Sequence, residues 1–329
     1  MNKNRRFTLI GFCFLCFLSL SAFLFKSRPV HVYLIGDSTV ADYTQESDYL
    51  QKKYPITGWG QVFQQFLHRD SLKKLNRLIK SDTVLVIDKA KGGRSTRTFF
   101  EEGRWQEVKS ALHKNDLVLI QFGHNDAAKD KPERYVDIPG YKNFLRMYVK
   151  ESRDKGAFPV LITPVTRNYP WKDGVLGSAH GDYPQAVKDV ANELNVPVID
   201  LTTLSATFFT QKGQDFVSKN YFMNLDSGKY EAYPKGQKDN THFQPEGAKA
   251  VARLVYLSLI ELIKRNKSPE FLPTQAKCYR ILSYHSSRSD CNSIPCVNGY
   301  NCDNYLSQIM LIKKTCCFLV SSIRNVICN

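Results

Sequence analysis

Between residues 30 and 265, short apolar runs alternate with longer stretches in which apolar positions recur every three or four residues. The short runs are Val32-Tyr33-Leu34-Ile35, Val84-Leu85-Val86-Ile87, Leu117-Val118-Leu119-Ile120, Val160-Leu161-Ile162 and Val196-Pro197-Val198-Ile199. They are rich in β-branched residues and lack polar alternation, which suits strands covered on both faces, as in a parallel sheet. Helical patterns lie between them, near 60–69, 104–113, 140–155 and 183–194. The clearest covers 245–264, where Pro245 fits a first helical turn and the apolar spacing is sustained. Strand and helix in alternation predict one open α/β/α sandwich of three layers around a central parallel sheet. In such sheets ligands bind beyond the carboxyl ends of the strands, so the loops directly after strands are where chemistry is expected.

The two ends break this pattern. A basic start, Met1-Asn2-Lys3-Asn4-Arg5-Arg6, precedes an uncharged, mostly apolar run from Phe7 to Phe25, as an export signal requires. Ser19-Leu20-Ser21 offers small residues at a cleavage spacing. At about 1.5 Å rise per residue the run also just spans a bilayer, so residues 1–27 read as a signal peptide or an uncleaved anchor. The expected protein is exported: secreted, periplasmic or membrane-tethered. Of nine cysteines, two lie in this leader and seven in the last fifty-two residues, with none between Pro29 and Lys277. The main domain, 28–265, therefore needs no disulfide and offers no thiolate metal site. The extension 266–329 has no paired CxxC units, and its Ser/Asn/Cys mix shows no period, so it is expected to be poorly ordered.

Composition is ordinary for a globular chain, with 43% hydrophobic and 23% charged residues, but the net charge is +15. Such a surface suits an acidic partner: nucleic acid, anionic lipid or a polyuronate. The charge is uneven, at +3 over residues 1–25, +5 over 265–329 and +7 over the middle. There the basic residues are scattered among acids with no aromatic-interleaved stripe, which argues against a nucleic-acid groove.

Four segments fall in or near the expected loops: Gly36-Asp37-Ser38-Thr39, Gly92-Gly93-Arg94-Ser95, Phe122-Gly123-His124-Asn125-Asp126 and Asp239-Asn240-Thr241-His242-Phe243. Each is weak alone. Together they supply what acyl transfer to serine demands: a hydroxyl, an imidazole to take its proton and a carboxylate to fix the imidazole's tautomer. Asp239 and His242, three apart and expected in one loop, can meet without long-range assembly. Donors for a developing oxyanion are available in the N–H groups of Ser38 and Gly93 and the Asn125 amide. The absence of a Gly-x-Ser-x-Gly elbow argues against the α/β-hydrolase fold, and Lys91-Gly92-Gly93-Arg94 lacks P-loop spacing. The remaining histidines, His31, His68, His113, His180 and His285, are too far apart in sequence to suggest a metal site, so surface or packing roles are expected.

These four blocks, in this order, resemble those of the SGNH (GDSL-type) hydrolases, and the resemblance covers roughly residues 30–265. The longer strings Gly92-Gly93-Arg94-Ser95-Thr96-Arg97-Thr98-Phe99 and Glu102-Gly103-Arg104-Trp105 are most similar to the rhamnogalacturonan acetylesterases within that superfamily. The resemblance implies a flavodoxin-like sandwich and removal of acetyl groups from pectic polysaccharide, with no cofactor. It makes Ser38 the nucleophile, His242 the general base and later acid, and Asp239 the residue that orients His242. Ser38, Gly93 and Asn125 would form the oxyanion hole, while Asp37 and Asp126 brace their loops. Arg94, Arg97, Arg104 and Trp105 lie near the expected cleft. The arginines there could pair with uronate carboxylates, and Trp59, Trp105 or Trp171 could stack on sugar faces. Acetylated xylan, another acyl glycan, and a catalytically silent carbohydrate-binding protein on the same scaffold are the competing readings. Since His242 has to be neutral to accept a proton, kcat/KM is expected to fall below roughly pH 6.

Overall fold

A computed structural model describes residues 28–265; the leader and the Cys-rich extension lie outside the described residues. Its centre is a parallel sheet built from β1 (Val30–Gly36), β2 (Val84–Asp88), β3 (Leu117–Gln121), β4 (Phe158–Ile162) and a last strand, Val198–Ile199. Each coincides with a predicted apolar run. The spatial order is β2, β1, β3, β4 and then Val198–Ile199, with every pair parallel. That is the flavodoxin-like order, so the expected fold class is the observed one.

Successive residues of the central strands point to opposite faces, and both faces are covered. Val32, Leu34, Leu117 and Leu119 pack with Phe63, Phe209, Val251 and Val255. Tyr33, Ile35, Val118 and Ile120 pack with Tyr141, Leu145, Tyr148 and Val187. The first layer draws on the 3₁₀ turn Gly60–Phe66 and helices Leu201–Lys212 and Pro245–Arg265. The second draws on helices Arg104–Ala111, Ile138–Asp154 and Tyr183–Glu193. Burial on both sides is why these strands read as continuous apolar runs rather than alternating ones.

The helix Leu201–Lys212 and the strands Phe222–Leu225 and Gln237–Phe243 were not predicted. The helix is rich in Thr and Phe, poor helix formers, and is fixed instead by Asp200, whose side chain accepts from Thr203 N–H, and by the buried Leu201, Ser205 and Phe209. The two strands form an antiparallel ribbon outside the main sheet. Gln237–Phe243 is mostly polar, which hides a strand from hydrophobic periodicity, and Phe222–Leu225 is apolar but only four residues long.

The sheet's order positions the site. From β1 the chain crosses over one face to β2, and from β3 it crosses the opposite face to β4, on the other side. Loops leaving β1 and β3 therefore diverge, and a crevice opens at their carboxyl ends.

Candidate active site

Ser38 lies two residues beyond β1, in the turn Gly36-Asp37-Ser38 at that crevice. The turn runs tight against β3: a Cβ on Gly36 would sit 2.4 Å from the Gln121 carbonyl oxygen, so only glycine fits. Asp37 points inward, where its Oδ1 accepts from the Thr39 N–H at 2.9 Å and the Thr39 hydroxyl at 2.8 Å. The buried Tyr43 hydroxyl donates to the Ser38 carbonyl at 3.0 Å. With its neighbours so held, Ser38 is left with its hydroxyl facing the crevice.

That hydroxyl meets an imidazole. Ser38 Oγ lies 2.9 Å from His242 Nε2, and His242 Nδ1 lies 2.7 Å from Asp239 Oδ2. Asp239 Oδ1 also accepts from the backbone N–H groups of Thr241 and His242, at 2.7 and 3.0 Å. Burial alone would raise the Asp239 carboxyl, but the bonds from His242 and from the two backbone N–H groups outweigh it and hold the group below its ordinary range. Asp239 thus stays ionised and fixes His242 with its proton on Nδ1, leaving Nε2 as the acceptor toward Ser38.

The expected loop for Asp239 and His242 is in fact the strand Gln237–Phe243. In a regular strand, residues three apart face opposite sides. Here Met223 pairs with Asp239 while Phe222 pairs with Phe243, so 240–242 bulge out of the ladder. The bulge turns His242 back toward Asp239, a common use of such irregularities. Two further bonds tie it to the domain: Asn168 N–H donates to the Asn240 carbonyl at 2.8 Å, and Thr57 N–H to the Phe243 carbonyl at 2.9 Å.

Gly93 and Asn125 line the same cleft as Ser38, Asp239 and His242. Gly93 has φ +81°, a conformation that favours glycine. Asn125 uses one amide hydrogen on the Arg94 carbonyl, at 2.9 Å, which leaves the other free. Neither Ser38 N–H nor Gly93 N–H donates within the described residues. Three donors therefore border the serine hydroxyl without an internal acceptor.

Behind the crevice sits a second, buried histidine–aspartate pair. His124 Nδ1 lies 3.1 Å from Asp37 Oδ2, with both side chains nearly inaccessible. Burial opposes ionisation of Asp37, but His124 and the bonds from Thr39 prevail and bring its carboxyl to about 2. His180 packs edge-on against His124 with ring centroids 4.4 Å apart. The expectation of a packing role for His180 fits its place here, but its partner was not legible from sequence. Asp126 accepts from the Thr96 hydroxyl and N–H at 2.6 and 2.9 Å, yet burial still lifts its carboxyl to about 7. Both Asp37 and Asp126 thus tie loops together, as expected. Among the described residues no group of His, Cys, Asp and Glu is placed to hold a metal ion.

The expected substrate contacts fare less well. Trp105 is 1% exposed, packs on Tyr148 and donates to Glu151, so it belongs to the core and not to the cleft. Trp59 is equally buried and donates to Gln121. Arg97 is turned to the carbonyls of Pro132 and Glu133, at 3.0 and 2.9 Å, and braces that segment. Arg94 does reach a hollow beside Ser38, but its guanidinium is paired with Glu102 at 3.0 Å. The cleft's own arginines are Arg134 and Arg167, which lie in none of the four motif blocks. Arg167 lies in the segment after β4, so the rule about loops following strands could have found it.

Comparison with known proteins identifies the family. The family model of the GDSL-like Lipase/Acylhydrolase family matches residues 34–250. The rhamnogalacturonan acetylesterase RhgT of Bacillus subtilis (strain 168) is 38% identical over 235 residues, covering 71% of this chain and 91% of its own. The probable rhamnogalacturonan acetylesterase YesY of the same strain is 39% identical over 233 residues, covering 70% and 93%. The crystal structure of YxiM from Bacillus subtilis shares the fold, with TM-score 0.56 and 24% identity over 74% of this chain and 58% of that one.

Proposed function

Because the chain belongs to the GDSL-like lipase/acylhydrolase family and is a hydrolase of carboxylic esters, we propose that it removes O-acetyl groups from the pectic polysaccharide rhamnogalacturonan, through an acetyl-enzyme on Ser38. The observation that carries this reading is the hydrogen-bonded line Ser38–His242–Asp239 beside three unengaged N–H donors. Ser38 Oγ attacks the acetyl carbonyl carbon while His242 Nε2 takes its proton. The carbonyl oxygen becomes an oxyanion, held by Ser38 N–H, Gly93 N–H and the free Asn125 amide hydrogen. Collapse expels the sugar oxygen, which leaves as a hydroxyl with the proton from His242. Water then adds to the acetyl-enzyme with His242 as base, acetate departs and Ser38 recovers its proton. Asp239 remains ionised throughout and stabilises the transient imidazolium.

Two features support a polysaccharide as the substrate. The cleft, of about 590 Å³, is open and lined by polar and charged groups rather than by a greasy acyl tunnel. The two Bacillus subtilis relatives carry pectic acetylesterase names. Export, which the basic, apolar run at residues 1–27 would direct, is part of the same proposal and would bring the enzyme to where such polymers are met.

The test is acetate release by the purified chain from acetylated rhamnogalacturonan and acetylated xylan, beside its Ser38→Ala variant. We expect release favouring rhamnogalacturonan, and a loss of turnover of roughly 10⁴-fold or more in the variant, which remains folded. Release from xylan alone would discard the substrate and keep the chemistry. A folded, active Ser38→Ala variant would end the proposed mechanism.

A further inference from the structure

Ser38, Gly93 and His242 stand on a divide between two hollows that share them. One, of about 590 Å³, has Lys131, Arg134 and Arg167 in its wall. The other, of about 470 Å³, has Lys53, Lys91 and Arg94. Both walls are rich in cations, but their charge balance differs. In the smaller hollow Lys53 and Lys91 both bind Glu46, at 2.6 and 2.8 Å, and Arg94 binds Glu102 at 3.0 Å. Those cations already have carboxylate partners.

In the larger hollow, whose wall also holds Asp130 and the His242-bound Asp239, the arginines are less fully paired. Arg167 donates only to neutral oxygens: the Thr241 hydroxyl at 3.0 Å, the Tyr169 hydroxyl at 3.1 Å and the His124 carbonyl at 3.3 Å. No carboxylate pairs with it among the described residues. The nearest acid to Arg134 is the exposed Glu133, at 3.8 Å, and the buried Arg134 Nε has no hydrogen-bond partner. A methyl group on Gly93 would sit 3.6 Å from Arg134 Nη1, so this guanidinium lies directly beside the ester position. Guanidinium groups match carboxylates in particular, through a planar fork of donors.

We infer that the Arg134–Arg167 side of the cleft is a carboxylate subsite, which holds a uronate carboxylate of the polymer, while the Glu46 side, whose cations are already paired, holds none. This inference rests on the polysaccharide reading above and makes the cleft asymmetric: a carboxylate of the polymer is recognised on one side of Ser38 only. Arg134 and Arg167 are specificity determinants in this role, since neither touches the acetyl group.

The probe is an unacetylated oligogalacturonide, used as a competitive inhibitor of aryl acetate hydrolysis by the whole chain, with its methyl-esterified, uncharged counterpart as control. The wild type is expected to be inhibited more strongly by the charged form, and raising ionic strength from about 0.05 to about 0.3 M should weaken that preference. Arg134→Gln should raise the inhibition constant of the charged form about tenfold and leave that of the methyl ester within about twofold. Lys91→Gln, on the opposite side, should leave both inhibition constants within about twofold. Equal inhibition by the two oligosaccharides, or an Arg134→Gln inhibition constant that does not move, would overturn the inference. If Arg134→Gln does not fold, the charged-versus-methylated comparison and its salt dependence in the wild type decide alone. Charge-selective inhibition without acetate release from rhamnogalacturonan would remove the proposed substrate and keep the subsite; release with charge-blind inhibition would do the reverse.

Discussion

Two histidine–aspartate pairs adjoin Ser38, and only one touches its hydroxyl. His242–Asp239 lines the cleft, with side chains 27% and 21% exposed, and presents Nε2 to Ser38 Oγ. His124–Asp37 is sealed at 3% and 0%, and its Nε2 has no partner among the described residues. Both are joined through Nδ1, at 2.7 and 3.1 Å. The chemical groups are identical, so the difference in role comes from where each free nitrogen points. The open pair can pass a proton between serine and substrate. The sealed pair holds the turn carrying Ser38 against the loop carrying Asn125, and its neighbour His180, pushed well below ordinary imidazole by burial, stays uncharged beside it. One pair performs chemistry; the other keeps the parts of the site in register.

Substitution separates the two most sharply. His242→Ala is expected to lower kcat on an aryl acetate by roughly 10⁴-fold or more, with little change in urea unfolding. A loss under about a hundredfold would mean that another group accepts the Ser38 proton. His124→Ala is expected to do the opposite: it strands Asp37, a fully buried carboxylate, and costs about 3 kcal/mol in urea unfolding while kcat stays within about tenfold. Catalytic collapse of the folded His124→Ala protein would erase the contrast.

A smaller effect sharpens it through pH. Asp37, at about 2, is depressed below the ordinary carboxylate value; its contribution to stability is present above about pH 4 and is lost as pH falls toward 2. Asp126, at about 7, is raised, so the folded state holds its proton longer than the unfolded chain does. Its effect has the opposite sign: stability declines as pH climbs from about 4 to about 7. Asp126→Asn is expected to flatten that segment of the stability profile, measured as the urea midpoint at successive pH values. An unchanged slope would assign the titration to another group.

The strands of the main sheet were legible because double-sided burial writes them as unbroken apolar runs, and Ser38, Gly93 and Asn125 because they directly follow such runs. Trp105 lies near Arg94 in sequence, but not at the cleft in space. Its spacing with the buried Val108 and Leu112 already places it on the inward stripe of its helix. Arg167 was missed for the converse reason. Its partners, His124 and Thr241, lie 43 and 74 residues away, and Arg167-Asn168-Tyr169-Pro170 has no periodicity to mark it. The strand carrying Asp239 and His242 looked like a loop since its polar residues serve the site rather than a core.

That strand lies outside the sheet that carries Ser38. The nucleophile is anchored to the most deeply packed part of the protein, whereas its base rides on a two-stranded ribbon stitched down by contacts from Thr57, Arg167 and Asn168. Local opening of such an element takes less free energy than unfolding of the sheet. The protein can therefore be intact and idle at once: the endurance of the ribbon, not the melting of the sheet, sets how long Ser38 keeps its base.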